Sequence, residues 1–154
     1  MVNLKAGDKA PDFSAKDTQG NAITLSSCKG KPVVLYFYPK DDTPGCTKEA
    51  CSFRDDYTQY KKKGIVILGV STDDQESHQQ FTKKYNLPFP LLVDTDKTIV
   101  NRYGVYGEKK MYGKKYLGTN RTTFLIDKEG KIQHIFKKVN VDEHSKEILE
   151  IKDK

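Results

Sequence analysis

The period of the hydrophobic positions changes repeatedly along this chain, and each change marks an element. Val33-Val34-Leu35-Tyr36-Phe37-Tyr38 is an unbroken apolar and aromatic run. Without alternation, such a run predicts a central strand covered on both faces. Ahead of it, residues 12–15 and 22–25 predict a short hairpin around Asp17-Thr18-Gln19-Gly20-Asn21. Beyond it, Phe53, Tyr57 and Tyr60 recur at helical spacing as far as Gly64. Residues 65–70 give a second buried strand, and residues 73–86 a helix with Phe81 and Tyr85 at i, i+4. Leu87-Pro88-Phe89-Pro90 ends that helix. Leu91-Leu92-Val93 predicts a short strand, and residues 98–103 one more short helix. Residues 104–118, rich in Gly and Lys, read as a loop. Residues 122–126 and 131–136 then predict paired strands about Asp127-Lys128-Glu129-Gly130, and from Asp142 onward Ile148 and Leu149 share a helical face. Strands alternating with helices, then a hairpin and a last helix, predict an α/β sandwich of thioredoxin type. In that architecture a central mixed sheet is flanked by helices, here with an N-terminal β-hairpin extension.

Composition narrows the class. The 154 residues suffice for one domain, 1–154, and no repeat, linker or low-complexity segment divides them. No apolar run approaches the ~20 residues that cross a membrane. The stretch from Met1 to Lys9 does not resemble a cleavable signal peptide. The prediction is a cytoplasmic protein without membrane association, with export by a route lacking a cleavable signal left open. The net charge is +6, yet 27 basic residues are interleaved with 21 acidic ones and no Arg-rich tract stands out. That predicts a solvated, lysine-rich surface and no specific nucleic-acid partner. Lys61-Lys62-Lys63, just before Gly64, complements a helix C-terminus. Three cysteines make no disulfide scaffold, and an odd count leaves at least one thiol free.

Chemistry concentrates in Pro39-Lys40-Asp41-Asp42-Thr43-Pro44-Gly45-Cys46, followed by Cys51. A cysteine after a Pro-Gly turn, at the start of an amphipathic helix, feels the positive end of the helix dipole and unpaired backbone N–H groups. Both favour thiolate, the nucleophilic form. Cys51, on the helix beside Phe53, leaves packing open as the lesser alternative to a chemical role, and Cys28 lies outside any motif. His78, His134 and His144 show neither metal-ligand spacing nor a cysteine-protease motif, and no metal, flavin or haem is called for.

Three features together carry a family resemblance. Pro39, Thr43 and Cys46 match a Pro-x-x-x-Thr-x-x-Cys pattern, and Cys51 stands five residues further on. Gly118-Thr119-Asn120-Arg121-Thr122-Thr123-Phe124-Leu125-Ile126-Asp127 resembles the segment bearing an active-site arginine. Gly7-Asp8-Lys9-Ala10-Pro11-Asp12-Phe13 and Lys109-Lys110-Met111-Tyr112-Gly113 match as well. The chain thus resembles the peroxiredoxins nearly end to end, and most of all the bacterioferritin comigratory protein (peroxiredoxin Q) subfamily.

The resemblance implies a thiol peroxidase acting on hydrogen peroxide and organic hydroperoxides without a cofactor. Cys46 would attack the O–O bond and become a sulfenic acid. Arg121 would lie beside the sulfur, and Thr43 would both accept and donate hydrogen bonds. Backbone N–H groups at Gly45 and Cys46 would polarise the peroxide, so Gly45, Thr43 and Arg121 contact substrate while Pro39 walls the site from water. Cys51 would resolve the sulfenic acid as an intramolecular disulfide, with thioredoxin or a similar dithiol as reductant and a monomeric enzyme. Five helical residues span a rise of ~7.5 Å and a turn of ~140°, beyond the ~7 Å Cα separation a disulfide tolerates. A folded reduced form and a locally unwound oxidised form are therefore expected. Three alternatives stay open. One is resolution of Cys46 by an external thiol; another is a redox sensor or chaperone-like protein without turnover. The third is a thiol–disulfide oxidoreductase, although Cys-x-x-Cys is missing.

Overall fold

A computed structural model describes residues 4–152. β1 (Ser14–Lys16) and β2 (Ala22–Thr24) pair antiparallel as the N-terminal hairpin, within two residues of the expected bounds. A single 3-10 turn at Ser26–Cys28 leads into β3 (Val33–Phe37). Then follow α1 (Pro44–Asp55), α2 (Tyr57–Lys62), β4 (Val66–Ser71), α3 (Gln75–Tyr85), β5 (Leu91–Val93) and α4 (Thr98–Arg102). The chain continues through β6 (Tyr106–Met111), β7 (Lys114–Thr119), β8 (Thr122–Ile126), β9 (Ile132–Phe136) and α5 (His144–Lys152).

The main sheet has the order β5-β4-β3-β8-β9. β3 is the middle strand, parallel to β4 and antiparallel to β8. Every residue of β3 is buried, as its unalternated sequence requires. Successive side chains point to opposite faces, and this splits the interior in two. Val33, Leu35 and Phe37 pack with the N-terminal segment and α4 through Phe13, Leu25, Ile99 and Val100. Val34, Tyr36 and Tyr38 pack with Cys46, Phe53, Tyr60, Phe81 and Ile148, which come from α1, α2, α3 and α5. The thioredoxin-type sandwich expected from the sequence is thus built, and Cys46 belongs to one of its two faces.

Two expectations need correction. The helical spacing running to Gly64 is shared by two helices, broken at Asp56 (φ −101°, ψ 8°). The apolar rhythm continues across the break because Tyr60 of α2 is fully buried and donates to the Ser145 carbonyl at 2.8 Å. The break falls at Asp55-Asp56, where two carboxylates oppose the negative end of the α1 dipole. The second correction is the supposed loop over 104–118, most of which is the β6–β7 hairpin. Tyr112 (φ 52°) and Gly113 (φ 77°) form its two-residue turn, both in the left-handed region that type I′ turns need. Its strands carry Lys, Gly and Tyr in place of β-branched residues, and Tyr112 and Tyr116 are exposed, unlike the core tyrosines.

Gly69 of β4 marks the tightest approach on the Cys46 side. A Cβ there would sit 2.8 Å from both Tyr36 Cζ and Leu91 Cδ2, and both side chains are fully buried. Gly69→Ala is expected to cost about 1–3 kcal/mol through overpacking, read as a lower urea midpoint with unchanged slope. An unshifted midpoint would mean that the Tyr36 ring yields freely.

Candidate active site

α1 begins with Thr43 as N-cap and Pro44 in its first turn, where the missing proline N–H costs no hydrogen bond. Gly45 and Cys46 follow, and no side chain caps this terminus. Cys46, 1% exposed, thus lies in the first turn, at the positive end of the dipole and among the first-turn backbone N–H groups. Arg121 reaches the Cys46 sulfur from the link between β7 and β8, with Nη2 3.2 Å from Sγ. Its Nη1 donates to Glu49 Oε1 at 2.6 Å. Glu49 lies one helical turn after Cys46, so sulfur and carboxylate share a face of α1 and a single guanidinium bridges them. Close approach depends on Gly45, where a Cβ would lie 3.2 Å from Arg121 Nη2.

Burial sets the electrostatics. Glu49 is fully buried, which pushes its carboxyl up to about 7 despite the opposing pull of Arg121. Burial also works against the charge of Arg121, but Glu49 and Cys46 outweigh it and hold the guanidinium above its ordinary range. Glu49 Oε2 has no hydrogen-bond partner and lies 3.8 Å from His144 Nε2 of α5. That nitrogen pairs with Thr123 Oγ1 of β8 at 2.7 Å. Burial, then the Arg121 charge, lowers the His144 imidazole to about 4, so it is neutral near pH 7. Lys109 of β6, which donates to the Thr119 carbonyl at 2.9 Å, is lowered by burial and by Arg121 but drawn up by Cys46.

Cys46, Gly45 and Arg121 are thus brought together. Thr43 is half-buried beside them, but its hydroxyl donates to the Lys40 carbonyl at 2.9 Å. Its single proton is therefore committed, and towards a peroxide it can only accept. Pro39 is half-buried at the start of the loop. Cys51 lies further along the same unbroken helix, half-buried and free, with its thiol pushed up chiefly by burial. Cys28 is free as well and packs against the opposite face of the sheet. Among the described residues no three His, Cys, Asp or Glu gather in a way that could hold a metal ion. No described helix is long and apolar enough to cross a membrane.

The sequence reading missed Glu49 and His144. Glu49 carries a legible signal, since an acidic side chain at i+3 from the nucleophile shares its helix face. His144 carries none, because only the packing of α5 on α1 brings it there.

The two buried groups make opposite contributions to stability. Glu49 keeps its proton to a higher pH when folded, so its contribution falls as pH rises from about 4.5 to about 7. His144 takes up its proton only at lower pH when folded, so its contribution rises from about pH 4 to about 6.5. Urea unfolding across this window should show the two slopes opposing in the wild type. Glu49→Gln should become more stable relative to wild type as pH rises, and His144→Gln more stable relative to wild type as pH falls. Parallel curves for all three proteins would contradict this.

Comparison with known proteins agrees with this geometry. The AhpC/TSA family model matches residues 6–135. A putative peroxiredoxin bcp of Coxiella burnetii is 53% identical over 148 residues, covering 96% of this chain and 98% of that protein. Peroxiredoxin Bcp of Bacillus subtilis is 48% identical over 149 residues, covering 97% and 95% respectively. Among solved structures, a PrxQ mutant of Xylella fastidiosa has a TM-score of 0.93 at 32% identity, covering 99% of this chain and 98% of that one. The bacterioferritin comigratory protein of Xanthomonas campestris, studied for alkyl peroxide reduction, has a TM-score of 0.88 at 38% identity, covering 96% of each chain. With a cysteine at a helix N-terminus, an arginine on its sulfur and relatives matching over nearly their whole length, this chain belongs to the AhpC/TSA family, as a thiol peroxidase of the peroxiredoxin Bcp/PrxQ group.

Proposed function

We propose that Cys46 is the peroxidatic nucleophile of a two-cysteine, thioredoxin-dependent cycle in which Cys51 resolves the oxidised sulfur. The observation that carries this reading is the Arg121 fork, one arm on Cys46 Sγ and the other on buried Glu49. A guanidinium there stabilises negative charge on sulfur before the reaction. It also stabilises the charge that develops on the departing oxygen. Thiolate attacks the nearer peroxide oxygen, the S–O bond forms as the O–O bond breaks, and water or alcohol leaves with a proton. Thr43 accepts a hydrogen bond from the peroxide, the N–H groups at Gly45 and Cys46 polarise it, and Pro39 shields the sulfenic acid.

Resolution requires α1 to open. Cys46 and Cys51 lie on one continuous helix, too far apart along it to bond. Unwinding withdraws the Cys46 sulfur from Arg121 and relieves the burial that keeps the Cys51 thiol protonated. Cys51 then attacks the sulfenic sulfur, a disulfide forms and water is lost. A dithiol protein such as thioredoxin restores both thiols by exchange. On this reading the whole chain, 1–154, acts as one domain, a cytoplasmic monomer whose substrates are hydrogen peroxide and organic hydroperoxides.

Peroxide consumption with thioredoxin, thioredoxin reductase and NADPH tests the cycle. Cys46→Ser and Cys51→Ser should both lose turnover, while Cys51→Ser should still form one equivalent of sulfenate. Full turnover in Cys51→Ser would hand resolution to an external thiol, and full activity in Cys46→Ser would refute the site. Arg121→Lys keeps the charge but cannot bridge sulfur and carboxylate, so kcat/KM should fall about 100-fold. A rise in KM alone, with kcat unchanged, would exclude a role in the bond-breaking step.

A further inference from the structure

We propose that Asp41 and His78 form a latch that bolts the Cys46 loop to α3, and that both are positioning residues for attack on peroxide. The inference rests on Cys46 being the peroxidatic thiol. It adds a second set of side chains outside the Cys46–Arg121–Glu49 cluster.

Asp41 lies in the loop between Pro39 and Thr43 and is 7% exposed. Tyr38 Oη donates to its Oδ1 at 2.5 Å. Ser77 Oγ donates to its Oδ2 at 2.8 Å, and His78 Nδ1 lies 2.6 Å from the same oxygen. The other ring nitrogen of fully buried His78, Nε2, lies 2.8 Å from the Leu92 carbonyl of β5. The Leu92 carbonyl only accepts, and facing a carboxylate the other ring nitrogen donates too, so this arrangement suits an imidazolium. Burial alone would lower His78, but its bonds to Asp41 and Leu92 and the nearby charge of Asp73 outweigh burial and raise it.

The latch reaches Cys46 through one peptide unit. The Asp41 N–H donates to Asp73 Oδ2 at 2.8 Å, and Ser71 Oγ holds the same oxygen at 2.7 Å. The carbonyl of that peptide unit, Lys40 O, accepts the Thr43 hydroxyl. The plane fixed by Asp41 and Asp73 therefore sets which way Thr43 presents its lone pairs, three residues before the nucleophile. Asp42 adds an outer tie to α3, with Lys84 Nζ and Tyr85 Oη each 2.8 Å from its carboxylate. Asp42 itself sits in the left-handed region (φ 54°), a conformation these contacts maintain.

Loss of the His78 proton leaves one N–H for two acceptors, so the latch weakens as pH rises. The groups facing this ring are Asp41 from the loop, Asp73 from the β4–α3 connection and Tyr38 from the end of β3. Ser77 and the Leu92 carbonyl adjoin it too, while the Asp74 side chain is taken up by the Ser77 N–H at the start of α3. With a folded value above the unfolded one, the contribution is complete at low pH and lost as pH rises through the folded value.

The test is the rate of Cys46 oxidation by hydrogen peroxide in a Cys51→Ser parent, quenched and followed by intact mass. His78→Gln and Asp41→Asn should each slow oxidation by about 10-fold. The double variant should be no slower than the slower single one, because both break the same link. The parent should show a falling rate on the alkaline side that neither variant shows, a pH signature that plain destabilisation does not produce. Should a variant not fold, absence of that limb in the parent is enough to overturn the latch. Parental rates and pH profile in both variants, or multiplied effects in the double one, would also overturn the latch alone. A parent whose Cys46 is never oxidised would overturn it together with the peroxidase reading.

Discussion

A half-buried guanidinium has to place its donors on acceptors, and Arg121 spends two of them on Glu49 and on the Cys46 sulfur. Most of the site's geometry follows from that requirement. Glu49 has to be fully buried on the same helix face as Cys46, and residue 45 has to be small enough for the fork to reach past it. The β7–β8 link has to end beside the N-terminus of α1, which the antiparallel pairing of β8 with β3 arranges. The cost is a buried carboxyl with one oxygen unpaired, and the same Arg121 charge, together with burial, keeps the neighbouring His144 neutral near pH 7. Removing Glu49 would leave the Arg121 guanidinium without its carboxyl partner, and removing Arg121 would favour the protonated form of buried Glu49, so the geometry around Cys46 and stability are joined at Glu49.

The two faces of the sheet divide the work. One face, around Phe37, Tyr103 and Phe124, is closed by α4 and the N-terminal segment and carries Cys28 without a partner thiol. The other holds Cys46, Glu49, Tyr36, Tyr38 and His78, and α1, α2, α3 and α5 cover it. Each polar group is held by elements distant in sequence, as with Asp41 and His78 or Glu49 and Arg121.

The sheet was legible because β3 and β4 have unambiguous apolar runs, and the β8–β9 connection has an Asp-Lys-Glu-Gly turn. The β6–β7 hairpin was not, because its strands are lysine-rich and its turn uses Tyr112 where Asn or Asp usually signals the left-handed conformation. The α1–α2 break hid behind a hydrophobic rhythm that a short kink does not interrupt. In the site, Cys46 announced itself through local features, a turn and a helix start. Arg121 did so only through resemblance, because nothing local distinguishes it from a surface arginine. His144, His78 and Asp41 are brought to their places by tertiary contacts, and one-dimensional patterns hold no trace of those.

The continuity of α1 through both cysteines has an energetic corollary. On the proposed cycle, the oxidised protein gains a disulfide and loses helical turns, so the reduction potential measures the difference between the two. Once unwound, the cysteines close only a short ring, whose chain entropy is small. Helix strength between them then becomes the adjustable quantity. Each 1.4 kcal/mol added to that segment should shift the couple by about 30 mV towards the dithiol. Thr47 and Lys48 lie outside the buried cluster around Cys46, yet in this scheme their helix propensities help set how oxidising the couple is. The protein's redox poise is in this sense written in backbone conformational preference, and evolution can retune it without altering a single group that meets the peroxide.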